Sequence, residues 1–219
     1  VERMRSDIRQ GERVWQLENS YGANELMYWG IPSITGSQNF RLAWYDRLTG
    51  GVGHRDLLES PVVWPLLDLR YVTTRSRVQT GLLEEVTRQD GTSLYEVVPD
   101  LPHAFFPRAV EGIEGLDEAV RRTRGLTDPA ATAVVRRPES GGLPGAGSGT
   151  ARLETWRPDE VVLEVDAEEG GLLFVSEIWH PGWRATLGCC WVDTGSWFDA
   201  TCPPGFPSSR WAGAGGGGP

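Results

Sequence analysis

The sequence has 219 residues, of which 39% are hydrophobic and 23% are charged, a balance typical of a folded chain with a core. The net charge of −9 argues against a nucleic-acid partner, because phosphate binding needs a basic surface. All 21 positive residues are Arg, which excludes a Walker-type phosphate loop and a Schiff-base lysine. No uncharged apolar run approaches the ~20 residues that span a bilayer.

The first part of the chain is predicted to mix strands with short helices. Alternation of apolar and polar residues predicts strands at 13–17, 67–74, 82–86 and 94–98. The dipeptide Asp90-Gly91, typical of hairpin turns, joins the last two. Helical spacing predicts helices at 39–48 and 116–124. The first ends at Gly50 and Gly51, and the second carries a Glu118–Arg122 pair.

Residues 138–150 are rich in Gly, Pro and Ser and are predicted to be a linker. They would separate an α+β subdomain at 1–137 from a β-rich part at 151–187. In that part, two segments are expected to form an antiparallel hairpin with Leu163 and Val165 buried, namely 161–167 and 172–179. The predicted class is therefore α+β, with a mixed α/β first part and an antiparallel β-sandwich-like second part that is incomplete at its C-terminus.

Residues 188–219 differ in amino-acid composition from the rest of the chain. They are rich in Gly and Pro and contain all three cysteines, with Val192 as their one aliphatic residue. Two interpretations stay open: a low-complexity tail, or a frameshift in a GC-rich gene, which we favour because the change falls within a predicted strand. Folded structure is expected to end near Leu187, leaving an unpaired strand edge.

Two short motifs suggest chemistry that the rest of the chain does not support. Asp193-Thr194-Gly195-Ser196 matches the aspartic-protease motif, but that reaction needs two aspartates sharing a proton, and the sequence has no second copy. The glycines at 145–149 follow no predicted strand and open no predicted helix, so a phosphate loop is disfavoured. We therefore predict no catalytic residue and no cofactor.

The histidines, cysteines and tryptophans also lack a functional pattern. The three histidines lie far apart, without metal-ligand spacing, so structural or surface roles are predicted for His54, His103 and His180. The cysteines fall in the anomalous tail and support neither a zinc site nor a redox argument, and they are Cys189, Cys190 and Cys202. Three tryptophans of the β-rich part could stack on sugar rings if exposed, or fill a core: Trp156, Trp179 and Trp183. We expect Trp183 in the core. No metal site is predicted.

Five motifs follow one another between about residues 20 and 187. They are NELMYWGIPSITG from Asn24, LRYV at 69–72, LPHAF at 101–105, VVLEV at 161–165 and WHPGW at 179–183. In this order they resemble the extracytoplasmic C-terminal region of the bacterial YfhO membrane-protein family. The motif positions, structural or facing an acceptor, are Asn24, Gly30, Gly36, Arg70, Tyr71, Pro102, Pro181, Gly182 and Trp183. Two departures are His103, where the family usually has Arg, and the missing Asp-Gly and closing strands after Leu187.

The resemblance implies that this chain is a soluble extracytoplasmic fragment of a polytopic membrane protein. The parent would resemble GT-C glycosyltransferases, which use a lipid-linked sugar outside the cytoplasmic membrane for cell-envelope glycosylation. Its catalytic carboxylate would lie in an early loop among membrane helices, upstream of Val1, so the present chain would be non-catalytic. Expected partners are the membrane-embedded remainder of the parent and a lipid-linked sugar or envelope glycan. The alternative is a stand-alone carbohydrate-binding or structural β-sandwich.

Overall fold

The computed structural model describes residues 1–19, 21–22, 24–36, 42–51, 54, 56–98, 100–137, 142–180, 182–187, 190–192 and 209–215. The chain divides into two compact units, Val1–Leu101 (unit 1) and Pro102–Pro219 (unit 2). Helices and strands are mixed in both, with parallel and antiparallel sheets, which confirms the predicted α+β class. The division falls before the predicted linker at 138–150.

Unit 1 contains a four-stranded mixed sheet in the order β1-β2-β4-β3. Its strands are β1 (Arg13–Gln16), β2 (Leu69–Thr74), β3 (Leu83–Gln89) and β4 (Thr92–Val97). Strands β1 and β2 are parallel, and the other neighbours are antiparallel. The predicted β3–β4 hairpin is confirmed, with Asp90 at φ 51° and Gly91 at φ 79° in its turn. Positive φ at both central positions gives the turn a twist that matches the strands.

The described residues of unit 1 also form five short helices. They are α1 (Glu2–Asp7), α2 (Glu25–Tyr28), α3 (Ala43–Thr49), α4 (Asp56–Glu59) and α5 (Val63–Leu66). A 3₁₀ helix also covers Leu17–Asn19. Helix α3 overlaps the predicted segment 39–48, extends one residue past it to Thr49, and is followed, as predicted, by Gly50, whose φ of 84° is left-handed. Residues 39–41 of that prediction lie outside the described residues.

The core of unit 1 lies between these helices and the sheet. One cluster of buried side chains comprises Met4, Val14, Leu26, Ile31, Tyr71 and Leu94. The indole of Trp15, fully buried, meets Trp64 edge-on with 5.9 Å between ring centroids. Because Leu26 and Ile31 belong to this core, the segment between them is held at both ends.

Unit 2 contains a β–α–β arrangement and two antiparallel sheets. Its strands are β5 (Ala104–Phe105), β6 (Ala109–Ile113), β7 (Thr132–Arg136), β8 (Ser148–Arg157), β9 (Glu160–Glu169), β10 (Phe174–Val175), β11 (Trp183–Leu187), β12 (Cys190–Val192) and β13 (Ser209–Gly215). Helix α6 (Leu116–Arg124) joins the parallel strands β6 and β7 and confirms the predicted helix. The predicted Glu118–Arg122 pair is wrong: Glu118 binds Arg121, and Arg122 binds Glu111 at 2.8 Å.

The two antiparallel sheets of unit 2 enclose one core. The larger has the order β12-β11-β13-β9-β8, and the smaller pairs β10 with β5. Buried side chains from both sheets meet in one cluster: Ala104, Val161, Leu163, Val165, Leu173, Val175, Trp183 and Ala185. The burial of Leu163, Val165 and Trp183 was predicted and is confirmed.

The predicted pairing of residues 161–167 with 172–179 is wrong. Strand β9 pairs instead with β8, and Phe174–Val175 pairs with β5. Strand β8 begins inside the predicted linker, where Gly149 approaches β9 so closely that a Cβ would lie 2.1 Å from the Asp166 carbonyl oxygen. The glycines there let two backbones pack closely. Composition alone cannot separate this role from that of a flexible linker, because both favour glycine.

The tail contains two paired strands, contrary to the expectation that regular structure ends near Leu187. Strand β12 pairs with β11, and β13 lies between β11 and β9. Strands pair through backbone N–H and C=O groups, so a segment poor in aliphatic residues can still fill a gap in a sheet. The rest of the tail, including the Asp193-Thr194-Gly195-Ser196 motif, lies outside the described residues.

Candidate functional site

The family-motif residues fall into three places in the structure. Asn24, Gly30 and Gly36 lie in one surface segment of unit 1, while Arg70 and Tyr71 lie on β2. The remaining described motif residues belong to unit 2 and are Pro102, Gly182 and Trp183. Pro181 lies outside the described residues.

Residues 24–36 form a surface loop, which we call the Asn24 loop. Its first turn is α2, and the N–H of Gly30 donates to the Met27 carbonyl where Gly30 adopts φ +70°. The N–H of Ile31 donates to the Leu26 carbonyl at 2.9 Å, and these two side chains are 2% and 0% exposed. The buried pair therefore fixes a turn that projects outward between them.

The second half of the Asn24 loop adds to the edge of β1. Ser33 forms a parallel bridge with Val14 and its hydroxyl donates to the Val14 carbonyl at 3.0 Å. Gly36 packs against Asn24, since a Cβ there would lie 3.3 Å from the Asn24 Oδ1. The structure thus brings together two of the predicted motif residues, and the hydroxyl of Tyr45 donates to the Ile34 carbonyl beside them.

The outermost part of the Asn24 loop is apolar. Met27, Tyr28 and Trp29 are 57%, 83% and 39% exposed, and we call these three side chains the aromatic surface. The rings of Tyr28 and Trp29 lie 5.3 Å apart at an interplanar angle of 89°. Sequence reasoning missed this surface, although three consecutive large apolar residues in a loop with Gly and Pro are a visible signal.

Arg70 and Tyr71 belong to a partly buried charge cluster. The Arg70 guanidinium lies 2.8 Å from the Glu96 carboxylate and 5.7 Å from the Tyr71 ring centroid. Burial acts to lower the pKa of Arg70, but the charges of Glu96 and Glu12 outweigh it and raise that pKa. Burial raises the pKa of the Glu12 carboxyl, which is 5% exposed. Arg70 therefore neutralises carboxylates in the fold.

A second buried polar group lies in unit 2 and consists of His103, Trp156 and Glu177; we call it the Glu177 cluster. The Trp156 Nε1 donates to the Glu177 Oε1 at 2.5 Å, and the His103 Nε2 lies 3.3 Å from the same oxygen. The side chains of His103 and Glu177 are only 6% and 8% exposed. A carboxylate so enclosed suits support of the fold better than contact with a substrate. The sequence offered no signal for Glu177.

The other histidines take local roles. His54 is 7% exposed, with its ring 5.8 Å from Tyr45, and the exposed His180 accepts the Gly182 N–H at its Nδ1. In the part of the chain that the structure describes, no group of three His, Cys, Asp or Glu side chains could hold a metal ion. Of the tryptophans considered for sugar stacking, Trp183 is buried and Trp156 and Trp179 are half-buried.

Comparisons with family models, curated proteins and solved structures found no match to this chain. The resemblance to the YfhO family therefore depends on the five sequence motifs. Within the described ranges, no helix has the length and apolar character needed to cross a membrane.

Proposed function

We propose that this chain is a non-catalytic extracytoplasmic domain of a polytopic YfhO-like membrane protein, at the outer face of a bacterial cytoplasmic membrane. The parent would be a GT-C-type glycosyltransferase that transfers a lipid-linked sugar during cell-envelope glycosylation. The order of the five motifs carries this proposal. The membrane-embedded remainder of the parent would be the principal partner.

The roles of the described motif residues support a scaffold. Arg70 is engaged by Glu96, Tyr71 is 1% exposed in a core, and Trp183 is 8% exposed in another. Residues held in this way position a surface and do not themselves react. The Glu177 carboxylate, whose side chain is 8% exposed, accepts from the Trp156 indole and lies 3.3 Å from the His103 Nε2, so it is poorly placed to activate an acceptor.

The Asn24 loop is a motif region with large apolar side chains facing outward. It presents Met27, Tyr28 and Trp29, while Asn24 and Gly36 lie close together at its two ends. In the proposed parent, this loop would contact the membrane region or the lipid-linked substrate. The stand-alone carbohydrate-binding alternative has less support, because Trp183, its strongest aromatic candidate in the sandwich, is buried.

Reading the genomic frame upstream of Val1 tests the proposal. We expect multiple apolar spans of ~20 residues in that frame, followed directly by the present sequence. Cysteines placed at exposed positions such as Leu58 should then react with a membrane-impermeant maleimide in intact spheroplasts carrying the full parent. A signal peptide immediately before Val1, with no apolar spans, would overturn the proposal.

A further inference from the structure

The aromatic surface has the features of a membrane-interface contact. Six large hydrophobic side chains are exposed among the described residues, and three of them, Met27, Tyr28 and Trp29, are adjacent. The turn that carries them is fixed by the buried Leu26 and Ile31. These buried residues hold the apolar side chains in contact with water. Their exposure costs free energy, which transfer into an apolar environment would recover.

Size argues against a large protein partner for this surface alone. Aromatic side chains offer roughly 150–250 Å² each, so three partly exposed side chains present only a few hundred Å². A stable protein interface needs about 800 Å² from each partner. A second copy of this chain, bound through the aromatic surface, would fall well short of that area.

Ring geometry argues against a sugar. Tyr28 and Trp29 are perpendicular, at 89°, so their two faces cannot stack on one side of a single sugar ring. Met27, more than half exposed, adds a thioether that forms no strong hydrogen bond with hydroxyl groups. Tyr and Trp are instead the residues enriched where hydrocarbon meets headgroups, because each has an apolar body and a polar edge.

Charge indicates which lipid the surface suits. Residues 24–36 contain no basic residue, and their one charged residue is Glu25, whose carboxylate accepts the Gly22 N–H at 2.9 Å. With a chain net charge of −9 in addition, anionic headgroups would be repelled. A zwitterionic interface fits the observed surface.

We propose that Met27, Tyr28 and Trp29 insert into the zwitterionic headgroup region of the membrane that carries the proposed parent. The inference rests on the proposed function, which supplies the tether. Three side chains give weak affinity, but attachment to a membrane-embedded chain raises the local concentration of lipid to the millimolar range or above. Insertion would orient unit 1 with the Asn24 loop against the bilayer.

The test holds the full 219-residue chain at phosphatidylcholine vesicles through an N-terminal His-tag and nickel-chelating lipid, which replaces the parent's tether. Tryptophan emission is compared between vesicles with brominated and unbrominated acyl chains. We expect brominated lipid to quench the wild-type chain and most of that quenching to be lost in W29F, which lacks the inserted reporter. The double variant M27S/Y28S should lose it as well. The matched control L58S, which changes an exposed apolar residue elsewhere in unit 1, should be quenched like the wild type.

Three results would overturn the inference: no quenching of the wild type, equal quenching of M27S/Y28S, or an emission change of Trp29 caused by soluble oligosaccharide or by self-association instead. The proposed function fails separately. A signal peptide found upstream of Val1 would remove the parent without affecting the quenching, whereas upstream apolar spans with no quenching would overturn the insertion alone.

Discussion

Replacing Trp156 and Glu177 tests whether the buried carboxylate of unit 2 stabilises the fold through its shared oxygen. The perturbations are W156F, E177M and the double variant. E177M keeps an apolar side chain of similar length but removes the oxygen that accepts from the Trp156 Nε1 and lies 3.3 Å from the His103 Nε2. A buried donor that loses its acceptor costs about 1–3 kcal/mol, so E177M should lower the free energy of unfolding by about that amount.

W156F removes one donor from the same carboxylate and should cost about 1.5–3 kcal/mol, the range for a hydrogen bond to a charged group. Once Glu177 is absent, the indole has already lost this acceptor, so W156F should then cost less than it does in the wild type. The double variant should therefore show a coupling of up to about 3 kcal/mol in urea denaturation followed by far-ultraviolet circular dichroism. Trp64, whose Nε1 donates to the Leu57 carbonyl in unit 1, provides the control: W64F and E177M should be additive. Additive effects of W156F and E177M would refute the reasoning.

Three further predictions concern unit 1 and are measured as urea midpoints. Burial raises the pKa of Glu12 above 4.5, so its ionisation opposes folding as the pH rises. E12Q should therefore stabilise the chain at neutral pH, and the gain in stability should fade below pH 4.5. A gain that does not depend on pH would contradict this. Hydrogen bonds from Ser76 lower the pKa of Glu18, so its contribution to stability is present above pH 4.5 and is lost as the pH falls through the lowered pKa. E18Q should therefore destabilise the chain at neutral pH. A loss of stability that is just as large in acid would contradict this. Gly50→Ala should lower the free energy of unfolding by about 1–3 kcal/mol, and by more than Gly51→Ala does. Both glycines have positive φ, but only at Gly50 would a Cβ lie 2.5 Å from a neighbouring carboxylate carbon. Equal losses in the two variants would contradict this.

Local patterns predicted the elements whose partners are close in sequence. The β3–β4 hairpin follows from Asp90-Gly91 and the alternation beside it, and α6 follows from spacing that ends at Gly125. Both depend on interactions within about ten residues. The burial of Leu163 and Val165 was also predictable, because alternation assigns a face to each residue whichever strand lies next to it.

The choice of partner for a strand, and contacts between distant segments, were not predictable from local patterns. The predicted hairpin placed a turn at residues 168–171, whose residues suit one, yet β9 pairs with β8 through a tighter turn at Pro158 and Asp159. Both turns satisfy local rules, and the choice depends on which strand completes the core. The Glu177 cluster has the same character, since its members come from three separated segments of unit 2. Alternation and turn residues do not indicate which distant segments will contact one another.

Removing the tail tests whether it supports the fold. Strand β13 lies between β9 and β11, with residues 209–214 paired to 160–165 and residues 211–215 paired to 183–187. A chain that stops after Leu187 would expose the backbone edges of both neighbours, and unpaired edges promote aggregation. We therefore expect the 1–187 chain to unfold at lower urea concentration than the full chain and to sediment as aggregates at concentrations where the full chain stays monomeric. An unchanged midpoint and a monomeric 1–187 chain would refute this support and favour a tail that was never selected to pack. A one-base correction of the DNA near codon 188 that restores Asp-Gly and alternating strands would then establish the frameshift independently.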